Sequence, residues 1–202
     1  MKKLSIYYSI VIIALIISLI KPKDYFTWFL EVIPAIVGWI ILILTHKRFE
    51  FTRFVYILIV IHSLILIVGG HYTYAEVPLF NWIRDYFDLS RNYYDKVGHF
   101  FQGFVPALIV RELFLKLKAI NKRGWLFFIC ISICMFISSF YELIEWFMAV
   151  VQGQSAEAFL GLQGDEWDAQ SDMLMALIGS TLALIIFSRY QDKKIQSLDI
   201  KV

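Results

Sequence analysis

Three ionisable side chains, Asp95, Lys96 and His99, head the stretch YDKVGHFFQGFVPAL, which then runs into a segment apolar enough for lipid. Glu142 and Glu145 follow in SSFYELIEWF, and Asp165, Asp168 and Asp172 in QGDEWDAQSDM. His71 and Glu76 sit in GGHYTYAEVP, just past another apolar run. Carboxylates gathered in a low-dielectric site cannot all stay ionised, so protons or cations must neutralise some of them. A divalent metal ion is the cofactor such a set suits, with hard oxygen donors and an imidazole fitting Mg²⁺, Mn²⁺, Ca²⁺ or Zn²⁺. In that reading His71, Glu76, Asp95, Asp165, Asp168 and Asp172 are the candidate ligands. His99, Glu142 and Glu145 are the candidate catalytic groups, one of them a general base, and Lys96 is placed to hold a phosphate oxygen of a substrate headgroup. The chain has no H-E-x-x-H motif, so the metal rests on donor types alone.

Helical spacing supports grouping these residues. Asp95, His99 and Gln102 fall at i, i+4 and i+7, one face of a helix. Glu142 and Glu145 are three apart, with Ser138 a turn away on the same side. Asp168 and Asp172 are four apart, and beyond them Ala176 and Gly179 are small enough for close helix contact. Plainer readings stand beside these. Asp165 and Asp168 also fit a helix N-cap with an acidic third position. Glu142 and Glu145 fit an interfacial pair, and His99 a packed histidine. His71 and Glu76, five apart, share no helical face and fit an exit loop. His62 lies alone in mid-span, where a bond to a neighbouring helix is expected. Arg111 and Glu112 fit interfacial anchors outside the site.

The elements that must position these groups are membrane helices. The chain has 202 residues, 59% hydrophobic and 18% charged, with a mean hydropathy of +0.67, a composition expected of a membrane protein. Six apolar runs approach the 17 to 25 residues a bilayer requires: about 5–20, 26–44, 54–70, 97–117, 125–151 and 167–187. The fold expected is an all-α, polytopic six-helix transmembrane bundle forming a single integral membrane domain over 1–202. No small-x-small site follows the first run, so it reads as a retained helix. Pro78–Asn92 mixes aromatics with charge and reads as an interfacial amphipathic helix or loop. Cys130 and Cys134, four apart in an apolar run, read as packed thiols.

Lys and Arg flank the spans unevenly. Lys2, Lys3, Lys47, Arg48, Arg53, Lys116, Lys118, Lys122, Arg123 and the C-terminal basic residues fall on one side, against Lys21, Lys23, Arg84, Arg91 and Lys96 on the other. The richer side is cytoplasmic. Both termini are then cytoplasmic, and the acidic and imidazole groups all meet at the outer face. A charge facing lipid at that depth costs several kcal/mol, so these groups should face a bundle interior or wet cavity.

The tracts YDKVGHFFQGFVPALIVREL, SSFYELIEWF, FLGLQGDEWDAQSDMLMALIG and GGHYTYAEVPLFNW resemble, over nearly the full length, the YjdF-like family of bacterial inner-membrane proteins. More remotely, Asp95–Lys96 with His99, the glutamate helix, and Asp172 followed by Gly179 resemble the VanZ-like pattern. Ala176 stands where that pattern has Asn. The resemblance implies a cell-envelope setting and the same site residues, and names no reaction.

Three classes of function follow. One is an outward-facing site for a metal or lipid headgroup, in an enzyme acting on a lipid-linked substrate. The others are a cation or proton transporter, and a structural or regulatory membrane protein. The partners expected are membrane lipids, not nucleic acid.

Overall fold

In the computed structural model, which describes residues 2–152 and 163–199, the chain is all-helical. Seven helices are seen among these residues: α1 (Lys2–Ser18), α2 (Tyr25–Thr45), α3 (Arg53–Tyr72), α4 (Pro78–Phe87), α5 (Tyr94–Lys116), α6 (Arg123–Gln152) and α7 (Asp168–Asp199). Four of them, α2, α3, α6 and α7, are long and apolar enough to cross a membrane. The apolar part of α1, Leu4–Ser18, is shorter. Helix α5 interrupts its apolar middle at both ends, with Asp95, Lys96, His99 and Gln102 at one and Arg111, Glu112 and Lys116 at the other. Each of the six expected spans therefore coincides with a helix, while four meet the composition of a span.

Local chemistry sets the helix ends. The Asp24 carboxylate accepts from Thr27 N at 2.7 Å and starts α2, the usual N-cap bond. Thr52 caps α3 in the same way. At the other end of α3, Thr73 takes a left-handed conformation, with φ 60°, and returns its N–H to Gly69 O. Pro78 opens α4, where its missing N–H costs nothing. No residue of α4 is buried, and Leu79, Trp82, Tyr86 and Phe87 all stay exposed, as an interfacial helix requires.

Helix α5 is the axis of the molecule, packed against α3, α6 and α7. Its closest neighbour is α7, because small residues let the two backbones touch. A Cβ at Gly103 would overlap the Ala176 backbone, and one at Gly179 would overlap Phe100. Val32, Trp39, Val55, Tyr56 and Val60 pack with Val11 and Val105 on one side of α5. Leu108, Leu126, Cys130, Cys134 and Leu184 pack on the other. Both cysteines are buried, unpaired thiols, and Cys134 donates to Gly103 O at 3.4 Å. The outer faces of α1, α2, α6 and α7 expose Ile, Leu, Val and Phe side chains, a surface suited to lipid.

The end of α5 remote from His99 corrects one expectation. Glu112 is fully buried and is no interfacial anchor. It accepts from Thr52 N at 2.5 Å and Thr52 Oγ1 at 2.7 Å, with Lys116 Nζ at 3.2 Å. Arg111 donates to Gln191 Oε1 at 2.9 Å and to Asp192 Oδ1 at 2.6 Å. The buried carboxylate is satisfied by the N–H and hydroxyl of Thr52, the cap of α3, and by Gln191 Nε2 of α7, so it fastens α3, α5 and α7 together. These contacts also hold α7 as a helix well past the end of its apolar run.

Candidate functional site

The segment before α5 sets the site. Asn92, fully buried, accepts from Tyr94 N at 3.0 Å and so closes the first turn of α5. Its amide donates to Val77 O at 3.1 Å and Asn81 Oδ1 at 2.8 Å, tying that turn to α4. Arg91 is buried beside it. Its guanidinium lies 2.5 Å from Asp168 Oδ1, 3.2 Å from Asp165 Oδ2 and 3.8 Å from Asp95 Oδ2. Burial opposes that charge, but the hydrogen bond and charge of Asp168, with Asp95 and Asp172 behind it, outweigh burial and hold the Arg91 pKa above its ordinary value.

One turn into α5, Lys96 Nζ bridges Asp168 Oδ1 at 2.6 Å and Asp172 Oδ1 at 2.9 Å. His99 lies on the adjoining face. Its Nδ1 is 3.1 Å from Gln102 Oε1 and 3.7 Å from Glu142 Oε1. Its Nε2 is 3.4 Å from Asp95 Oδ1 and 3.8 Å from Asp172 Oδ1. In the tautomer in which Nδ1–H donates to Gln102, the Nε2 lone pair points between the two aspartates, the orientation a metal-binding histidine takes. One donor atom from each of Asp95, His99 and Asp172 lies within 4.8 Å of the others. Bonds of about 2.1 Å to a tetrahedral ion would place neighbouring donors roughly 3.4 Å apart, and His99 Nε2 lies 3.4 and 3.8 Å from the two aspartate oxygens. The residues present therefore fit a divalent ion.

The structure sorts the sequence-derived candidates into three groups. Asp95, Lys96, His99, Glu142, Asp168 and Asp172 meet in one cluster from α5, α6 and α7. Asp168 lies against Arg91 and Lys96, and Asp165 against Arg91 and Trp167 N at 2.9 Å; neither is among the three donors that converge. Glu145 is buried a turn from Glu142 and lines an adjoining cavity. His71 and Glu76 lie elsewhere. The first contacts Ser18 O through Nδ1 at 2.8 Å, and the second forms a half-exposed ion pair with Lys23. Shared membrane depth suggested one site for them, but depth does not say which side of the bundle a residue occupies. His62 Nε2, expected to bond across helices, has no hydrogen-bond partner among the described residues, nor do Ser138 Oγ and Glu142 Oε1.

Beside the cluster, α2, α3, α5 and α6 line a cavity of about 240 Å³. Glu31, Tyr74, Asp95, His99, Tyr141 and Glu145 line its polar end. Tyr141 donates to Glu31 Oε2 at 3.1 Å. Glu31 and Tyr141 were not singled out by sequence reasoning, and Arg91 only as a topology marker. For Glu31 the signal was present: it is one carboxylate in the otherwise apolar TWFLEVIPAIVG, and such a residue marks function by default. Even with His99 protonated, the carboxylates of this region outnumber Arg91 and Lys96. The surplus needs protons or a bound cation.

Residues 4–193 match the family described as a predicted membrane protein, DUF2238. The chain is also 43% identical over 182 residues to the inner membrane protein YjdF of Escherichia coli (strain K12), covering 90% of this chain and 87% of that protein. No solved structure matches. The chain belongs to this family, in agreement with the YjdF-like resemblance; neither match bears on the VanZ-like one. The apolar helices and this relative together place it among multi-pass proteins of the bacterial inner membrane.

Proposed function

With family membership as the premise, we propose that the chain spans the inner membrane six times, with both termini in the cytoplasm. In this reading it binds a divalent metal ion through Asp95, His99 and Asp172 at an outward-facing site that takes a lipid headgroup. The observation that carries the reading is the convergence of those three donors, from two helices, on one point beside a surplus of carboxylates. The metal would supply charge neutralisation and polarisation of a bound oxygen. Lys96 is the cation placed for a phosphate oxygen, and Glu142, with an unpartnered Oε1 3.7 Å from His99, is placed to accept a proton. Together these parts suit an enzyme of the cell envelope acting on a lipid-linked substrate.

The test is metal content by mass spectrometry on protein purified in mild detergent. Near-stoichiometric metal is expected in the wild type, with loss of most of it in Asp172→Asn. Absence of metal from the wild type overturns the reading. The surplus carboxylates would then be protonated, and the cavity beside them would favour proton or cation transport, read as liposome flux that depends on Glu145.

A further inference from the structure

We infer that the cavity beside the cluster is a slot for one hydrocarbon chain of the lipid whose headgroup the cluster holds. The inference rests on the headgroup reading above and adds the part of the substrate it leaves open. The cavity changes character along its length. From His99 it follows α5 past Gln102 and Val105 to Ile109, roughly 15 Å at 1.5 Å per residue. Across from that face stand Gly38 of α2 and Ile59 of α3. The charged groups all lie at the Asp95–His99 end, and the far end is walled by aliphatic side chains.

Water does not suit that far end. A buried water needs two to four polar partners. The Ser63 hydroxyl is committed, accepting from Trp39 Nε1 at 2.9 Å and donating to Ile59 O at 2.8 Å. The Gln102 carbonyl faces His99. His62 Nε2 is buried there without a partner among the described residues, and beside it only the Gln102 side-chain amide adds polar atoms to a wall of Val105, Pro106, Ile109, Ile59 and Ile137, which is too little to hold a file of water. Hydrocarbon meets no such requirement, and the slot lies in a bundle surrounded by it. A polar end and an apolar end in one cavity fit an amphiphile whose chain runs inward while its headgroup stays at the cluster. At Gly38 an added Cβ would meet nothing within 4 Å, so the room at the apolar end can be filled without disturbing the cluster.

The full chain is reconstituted in nanodiscs of phosphatidylethanolamine and phosphatidylglycerol, doped with phosphatidic acid carrying a diazirine midway along one acyl chain. After illumination, adducts are mapped by peptide mass spectrometry, and metal content is read on the same samples. Adducts are expected on the Val105–Ile109 segment, falling at least tenfold in Gly38→Leu. Metal content should be unchanged, as should labelling at the lipid-facing Val37. Wild-type protein that holds metal but gives no adduct at Val105–Ile109 overturns the slot and leaves the metal reading standing. Adducts undiminished in Gly38→Leu also overturn it. Adducts that vanish in Gly38→Leu while no sample holds metal uphold the slot and overturn the metal reading.

Discussion

At Asp172 one oxygen faces two kinds of neighbour. Oδ1 is 2.9 Å from Lys96 Nζ and 3.8 Å from His99 Nε2, and the residue is 1% exposed. Lys96 therefore supplies the charge a metal would also supply, and the two should compete. In Lys96→Met, Asp168 and Asp172 keep their burial and lose a shared cation. Removing one partner of a buried ion pair costs about 3 to 5 kcal/mol, so the metal-free variant should melt well below wild type. Added Mn²⁺ or Zn²⁺ should then raise its melting temperature more than that of the wild type, because the ion replaces a missing charge in one protein and adds to an existing one in the other. Equal shifts in the two proteins would mean that Lys96 and the ion do not share Asp172. The residue types at this cluster were legible because Asp95, His99 and Asp172 interrupt apolar sequence at helical spacing. Glu31 was harder to place, since its partner Tyr141 lies 110 residues away and no local pattern joins them.

Between elements, the seam of α5 with α7 decides whether the donors meet. Two of them ride on α5 and one on α7, so a shift of either helix by an ångström or two would separate them. Gly103 is the point to test, because a side chain there meets the Ala176 backbone, which cannot turn aside. Overpacking a tight site costs 1–3 kcal/mol and sometimes more. Gly103→Val should therefore lose about 3 kcal/mol or more, together with its metal. Gly124→Ala, where an added Cβ meets nothing within 4 Å, should match wild type in both thermal melting and metal content. If Gly103→Val kept full metal and stability, the seam would not be what positions the site. Half of this seam was visible in the sequence, in Ala176 and Gly179 one and two turns beyond Asp172. The other half, Gly103 and the Phe100 backbone, needed the fold, because helical periodicity identifies a face and not the face opposite. The same gap explains α7, whose apolar pattern stops before its helix does: Gln191 and Asp192 continue it through bonds to Arg111.

For the molecule as a whole, the burial pattern says which faces meet lipid, and the charge bias is what the proposed orientation rests on. Exposed aliphatics cover α1, α2, α6 and α7, while the ionisable groups turn inward around α5. In the orientation proposed above, with the basic residues cytoplasmic, α4 and the cluster lie on the outer side. Cys130 and Cys134 are buried, so the native thiols should contribute little background to labelling. An impermeant maleimide added to intact spheroplasts should label Asp88→Cys, at the exposed end of α4, and should reach Lys193→Cys only after lysis. Orientation then bears directly on the metal. If the site opens outward, an impermeant chelator applied to intact spheroplasts should strip the ion from Asp95, His99 and Asp172, and the protein purified afterwards should contain little of it. Labelling of Lys193→Cys before lysis, with metal retained against the chelator, would turn the bundle over. The headgroup the site takes would then belong to the inner leaflet.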